Sequence, residues 1–148
     1  MKLDRQQFCA DAIALVDRGV RFRHQGRSPE TGMDCINLPA YLCEQQGIKL
    51  PAELEKEFES YTENPDGWRL LEIMRRFFLE VETSTSGDLL IIYARRNPKH
   101  LAIQVSDDDP PMIVEAYRSE TDPTGALKRQ PLDFRRRVAA RFRIPDFA

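Results

Sequence analysis

The 148-residue chain is 41% hydrophobic and 31% charged, with a formal net charge of −2, and a chain of this length buries roughly 70% of its unfolded surface without a disulfide or metal staple. High apolar content, balanced charge and the lack of repeats exclude disordered, collagen-like and solenoid classes, leaving one domain over residues 1–148 as the expectation. No apolar run approaches the ~18 residues of a membrane span, and 22 basic against 24 acidic side chains set up no broad field for nucleic acid or anionic lipid.

From Leu3 to Asp17 the apolar residues Phe8, Cys9, Ala12, Ile13, Leu15 and Val16 recur at helical spacing, and Arg18-Gly19 supplies a basic last turn and a stop. Val20 to Asp34 is rich in charge and turn formers and reads as a loop with a short extended piece around Phe22. Loops this long in compact domains are usually functional. A second helix is predicted from Cys35 to about Gln46, mostly buried and closed by a left-handed Gly47. Pro39 sits in or just after its first turn, which predicts a kink or a late start to regular hydrogen bonding. The acidic, aromatic-containing stretch Leu50 to Asn64 carries Glu53, Glu55, Glu57 and Glu59, read as a solvated helix face. Asp66 to about Leu79 places Trp68, Leu71, Met74, Phe77 and Phe78 on one apolar helix face, with Asn64 or Asp66 as cap.

After Ser86-Gly87 the periodicity changes. Asp88 to Ala94, His100 to Val105 and Met112 to Tyr117 are short strand-like runs, separated by turn chemistry at Arg96-Asn97-Pro98 and at Asp107 to Pro111, and Val138 to Ile144 offers a last strand. Helices followed by strands predict an α+β fold with N-terminal helices packed on an antiparallel sheet. The arginines at 135, 136, 137, 141 and 143 read as the solvated face of a last helix and strand.

The three thiols divide by position. Cys9 and Cys43 fall mid-helix on apolar faces and read as small buried hydrophobes. Cys35 follows Asp34 where a loop enters a helix, and a helix start favours a thiolate and offers its own N–H to a developing oxyanion. A nucleophilic thiol needs a base, and the two histidines are His24 and His100. In His100-Leu101-Ala102-Ile103-Gln104-Val105 strand alternation sends Leu101, Ile103 and Val105 to the core and leaves His100 beside small Ala102. A register that puts Glu115 opposite either His100 or Ala102 brings its carboxylate within reach of the imidazole. No metal is expected, since C-x-x-C and H-x-x-x-H pairs are missing, and no G-x-S-x-G elbow supplies a serine nucleophile.

These residues resemble the NlpC-type cell-wall cysteine peptidases, papain-like enzymes that cleave peptide stems of bacterial peptidoglycan. The resemblance lies in Gly19 to Ser28 continuing through Gly32-Met33-Asp34-Cys35-Ile36-Asn37-Leu38, in Gln46 to Pro51, in Gly87-Asp88-Leu89-Leu90 with His100-Leu101-Ala102-Ile103, and in Ile113-Val114-Glu115-Ala116-Tyr117. It implies a papain-like α+β fold, a Cys35, His100, Glu115 triad, no cofactor, and hydrolysis of a γ-D-glutamyl-diaminopimelate type of bond through a thioester. Phe22, His24, Gln25 and Asp34 are the expected substrate-binding or oxyanion residues. Arg23-His24-Gln25-Gly26 and the ending from Pro131-Leu132 to Pro145 resemble a short branch found in phage and prophage tails. The start Met1 to Phe8 lacks the apolar core of a signal peptide. The expectation is therefore a protein made in the cytoplasm, associated with other tail proteins of a virion and acting in the cell envelope. Four positions depart from the family pattern: Ile36 and Asn37 replace serine and glycine after the nucleophile, Phe22 replaces a tyrosine, and Glu115 stands where His, Asn or Gln is usual. A non-catalytic tail-tip or assembly component and a toxin-type amidase are the alternatives.

Overall fold

The structure is a computed structural model that describes residues 2–147. Helix α1 (Arg5–Asp17) starts at Asp4, whose side chain accepts from the Gln7 N–H, and ends at Gly19 with φ +78°. A two-residue hairpin, β1 (Arg27–Ser28) and β2 (Gly32–Met33), precedes α2 (Asn37–Gln45). The acidic stretch forms α3 (Ala52–Glu63), and α4 (Gly67–Phe77) begins under Asp66, which accepts from the Trp68 N–H. Strands β3 (Leu79–Val81), β4 (Leu89–Ala94), β5 (Asn97–Gln104), β6 (Met112–Tyr117), β7 (Ala126–Pro131) and β8 (Val138–Arg143) form one antiparallel sheet in the order β3-β8-β4-β5-β6-β7.

The fold is α+β, with the helices packed on one face of the antiparallel sheet, as the order of helices and strands predicted. One sheet face carries Leu89, Ile91, Leu101, Ile103, Val114 and Phe142 into a core shared with Phe8, Leu15, Leu38, Leu42, Leu54, Leu70 and Met74 of the helices. The opposite face holds a smaller cluster of Leu90, Ile92, Ala102 and Ile113, flanked by Leu132 and Val138. The period-two split of β5 is the one expected from its alternation, with Leu101 and Ile103 on the helix side and Ala102 on the other.

Several expectations need correction. Trp68 does not join the buried face of α4 but is 58% exposed, while Leu70 and Ile73 take the inward positions. The second residue of the fourth helix thus points outward while Gly67 before it is buried. Strands β3 and β7 replace stretches in which no strand was foreseen, because their sequences, Leu-Glu-Val and Ala-Leu-Lys-Arg-Gln-Pro, have too little apolar alternation to announce themselves at an edge. Residues 95 and 96 make the turn before β5, so Asn97 and Pro98 already lie in the strand. Among the described residues no helix forms after residue 118. The arginines there are not simply a solvated face: Arg136 and Arg143 reach inward to the buried carboxylates of Glu115 and Asp88.

Candidate active site

The loop that leads to Cys35 is tied down by backbone pairing. Arg21 and Phe22 bridge to Ala126 and Met33, and Gly26 lies so close to the Gly32 carbonyl that no side chain fits there. Asp34, 5% exposed, closes the loop and opens the helix. Its Oδ2 accepts from the Gln25 N–H at 3.0 Å, and its Oδ1 accepts from the N–H groups of Ile36 at 3.1 Å and Asn37 at 2.7 Å. The Asp34 carbonyl accepts from the Leu38 N–H. Pro39 has no N–H to give the Cys35 carbonyl, so regular helical bonding begins only at Asn37, the late start its position predicted. Asp34 thus takes three of the first amides of the turn and leaves that of Cys35 outside its reach.

Across from this turn, the end of α3, the end of β4, the start of β5 and the end of β6 come together. His100 Nε2 stands 2.6 Å from Glu115 Oε1. The pairs Ile103↔Val114 and Gln104↔Ile113, continued along the strands, set Glu115 opposite Ala102, so the carboxylate shares a sheet face with His100 one pleat repeat away. The other ring nitrogen, Nδ1, is not engaged by Glu115, and Cys35 lies near enough to the ring to raise its basicity. Glu115 and His100 are thus directly bonded, and Cys35 shares the pocket wall with His100.

Cys35 and His100 border a pocket of about 420 Å³ whose walls also include Phe22, His24, Asp34, Tyr61 and Arg118, while Glu115 lies buried behind His100. Of the anticipated binding residues, Phe22, His24 and Asp34 are on this wall, and Gln25 is not. Both carboxylate oxygens of Asp34 are held by backbone N–H groups. Gln25 contributes its own backbone N–H to that cap from a left-handed conformation, φ 60°. Cys9 and Cys43 lie far from such a setting, both buried, and burial raises both thiols, Cys43 to about 12.

Burial on its own would lower the basicity of His100. Hydrogen bonds to Cys35 and Glu115, and the negative charge they can carry, outweigh it and lift the imidazole from 6.5 to about 9. Burial would raise Glu115, but its bonds from His100 and Arg136 hold it at about 2, so it is a carboxylate across the whole working range. Burial likewise pushes Asp34 upward, against the pull of its three backbone hydrogen bonds.

Two partners of Glu115 were missed from the sequence. Arg136 forks onto it, NH2 to Oε1 at 2.6 Å and NH1 to Oε2 at 2.9 Å, and Gln130 Nε2 donates to Oε2 at 3.2 Å. Glu115 is fully buried, so every one of these bonds replaces lost hydration. The available signal was the departure itself: a charged residue where the resembled family has a neutral one calls for a countercharge, and the arginine-rich segment around 136 was the richest source. Tyr61, also missed, donates its hydroxyl to the Lys99 carbonyl at 3.1 Å and so fixes the strand just before His100.

The NlpC/P60 family model matches residues 19–122, a span that begins with the glycine before the loop and runs past Glu115. No curated protein matches the chain.

Proposed function

The chain belongs to the NlpC/P60 family, and we propose that it is a cysteine peptidase that hydrolyses amide bonds in the peptide stems of bacterial peptidoglycan, of the γ-D-glutamyl-diaminopimelate type. The observation that carries this reading is the 2.6 Å bond between His100 Nε2 and Glu115 Oε1, with His100 and Cys35 side by side on the wall of an open pocket and Cys35 adding to the basicity of the imidazole. In the proposed reaction the Cys35 proton rests on His100, and the Cys35 sulfur attacks the scissile carbonyl carbon. The Cys35 N–H, which Asp34 does not cap, is available to the oxyanion. His100 gives its proton to the leaving amine as the C–N bond breaks, leaving an acyl thioester. Water then attacks the thioester, His100 takes its proton, and the sulfur leaves. Glu115 holds the ring in place and stabilises its charged form through both half-reactions.

Purified protein is expected to release stem fragments with new amine and carboxyl ends from sacculi and from defined muropeptides, and Cys35→Ala to lose at least ~10³-fold in rate at an unchanged melting temperature. Equal digestion by the variant would overturn the assignment. A wild-type protein that digests nothing, with Cys35 alkylating no faster than Cys35 in His100→Ala, would instead favour the non-catalytic tail component. Cleavage of other amides in preference to muropeptides would favour the toxin-type amidase. We also propose delivery on a phage tail, supported by the wording Arg23-His24-Gln25-Gly26. Mass spectrometry of purified virions or tails from the source lysogen tests it.

A further inference from the structure

The pocket wall carries a guanidinium that the proposed chemistry does not use. Arg118 follows the last residue of β6, and its Cζ stands 4.6 Å over the centroid of the Phe22 ring. Its stem runs past Gly125, whose φ of +73° suits glycine and where an added Cβ would lie 2.5 Å from Arg118 Cγ and 3.0 Å from Phe22 Cβ. The Phe22 N–H donates to the Gly125 carbonyl at 3.3 Å. Phe22, Gly125 and Arg118 are thus one packed unit that fixes the arginine on the pocket wall.

No carboxylate among the described residues pairs with it. Asp122, in the loop that follows Arg118, is engaged by Lys128 at 3.0 Å and by the Gly125 N–H at 3.3 Å. The carboxylates nearer the centre are occupied as well: Asp34 by three backbone N–H groups, and Glu115 by His100, Arg136 and Gln130. Lys99, a second exposed cation on the same wall, has no acidic partner among the described residues either. The open charge of the pocket is therefore positive. An arginine stacked on an aromatic face keeps its N–H edge free in the plane of the guanidinium, the geometry that takes a carboxylate bidentately.

We propose that Arg118, on its Phe22 platform, is a specificity-determining residue that binds a free carboxylate of the substrate beside the scissile amide. The inference rests on the wall-peptide reading, in which two such groups flank the bond: the α-carboxylate of the γ-linked glutamyl residue and a carboxylate of diaminopimelate. It also gives a reason for the loss of the tyrosine hydroxyl at position 22, since a phenyl ring under a guanidinium needs none.

The test uses one stem peptide in three forms: both carboxylates free, the glutamyl one amidated, and the diaminopimelate one amidated. For the wild type, one of the two amidations is expected to raise KM by about 10–100-fold, the worth of a charge-assisted hydrogen bond, with kcat less affected; which one does so identifies the carboxylate. Arg118→Gln is expected to lose that discrimination, and Arg118→Lys to keep part of it. A merely structural arginine would leave the free-to-amidated ratio unchanged, and an unchanged ratio in Arg118→Gln overturns the inference. Calorimetric titration of the same peptides into Cys35→Ala, with and without Arg118→Gln, decides the matter without turnover. Discrimination that vanishes with Arg118 upholds it even if the hydrolytic reading fails, and equal affinity for all three forms, or binding of none, overturns it.

Discussion

Asp88 and Glu115 are both fully buried carboxylates, each held by two cationic side chains, and they do different work. Asp88 stands just before β4, at the end of that strand away from the pocket, about 20 Å from Ala94 on the pocket wall at the usual strand rise. Arg5 donates to it at 2.9 Å, Arg143 at 3.0 and 2.9 Å, and the Thr85 N–H at 2.8 Å. Arginine does not titrate in any working range, so this cluster has one charge state and acts as a strut joining α1, β4 and β8. Glu115 keeps one arginine but exchanges the other for His100, which shares the pocket wall with the Cys35 thiol. A partner that can gain and lose a proton turns the same buried-carboxylate design from a brace into a device that can move protons.

The largest expected contrast is in activity. Glu115→Ala should cut the hydrolysis rate on the order of 10²–10³-fold by freeing the imidazole, while Asp88→Asn should leave the rate near wild type at 20 °C in the same muropeptide assay. Comparable losses in both would erase the distinction. In stability the order reverses in cause. Asp88→Asn strands two arginines, but both touch solvent, at 30% and 38% side-chain exposure. The cost should therefore be on the order of 2–3 kcal/mol, below the range for a wholly buried pair, seen as a drop of about 5–10 °C in melting temperature.

The smallest effect is the pH signature. His100 is raised from 6.5 to about 9, so the folded state holds a proton that the unfolded chain releases; this contribution is complete below pH 6.5 and is lost as pH rises through 9. Glu115 is lowered from 4.5 to about 2, so its contribution is complete above pH 4.5 and is lost as pH falls through 2. The pair is therefore at full strength between about pH 4.5 and 6.5. Asp88, also lowered by its arginines against the cost of burial, contributes only on the acid side. The unfolding free energy of the wild type from urea titrations should fall between pH 6.5 and 9 by an amount on the order of 1–3 kcal/mol, and His100→Asn should flatten that alkaline limb while leaving the acid limb shaped by Asp88.

Much of the site was legible because its logic is local. A cysteine after a capping aspartate, a histidine beside a small residue at the start of an alternating strand, and a glutamate at the right parity in the next strand can each be read within a few residues. What escaped were the partners set by distant chain: Arg136 lies 21 residues from Glu115, and Arg143 lies 55 residues from Asp88. Both belong to a segment whose arginines looked like surface charge. The edge strands β3 and β7 escaped for a related reason, since edges need little apolar patterning and are defined by the neighbour they pair with.

The sequence by itself determined the four helices and the central strands, the core face of β5, the late helix start at Pro39 and which thiol is not fully buried. Those are consequences of spacing, capping and alternation, which act over one or two turns of chain. Only the tertiary structure decided which cation holds which buried carboxylate, and that Phe22, Gly125 and Arg118 make a single wall of the pocket. Charge pairing and close packing depend on positions in space, and a flexible arginine has many such positions open to it until the sheet and its loops close around one.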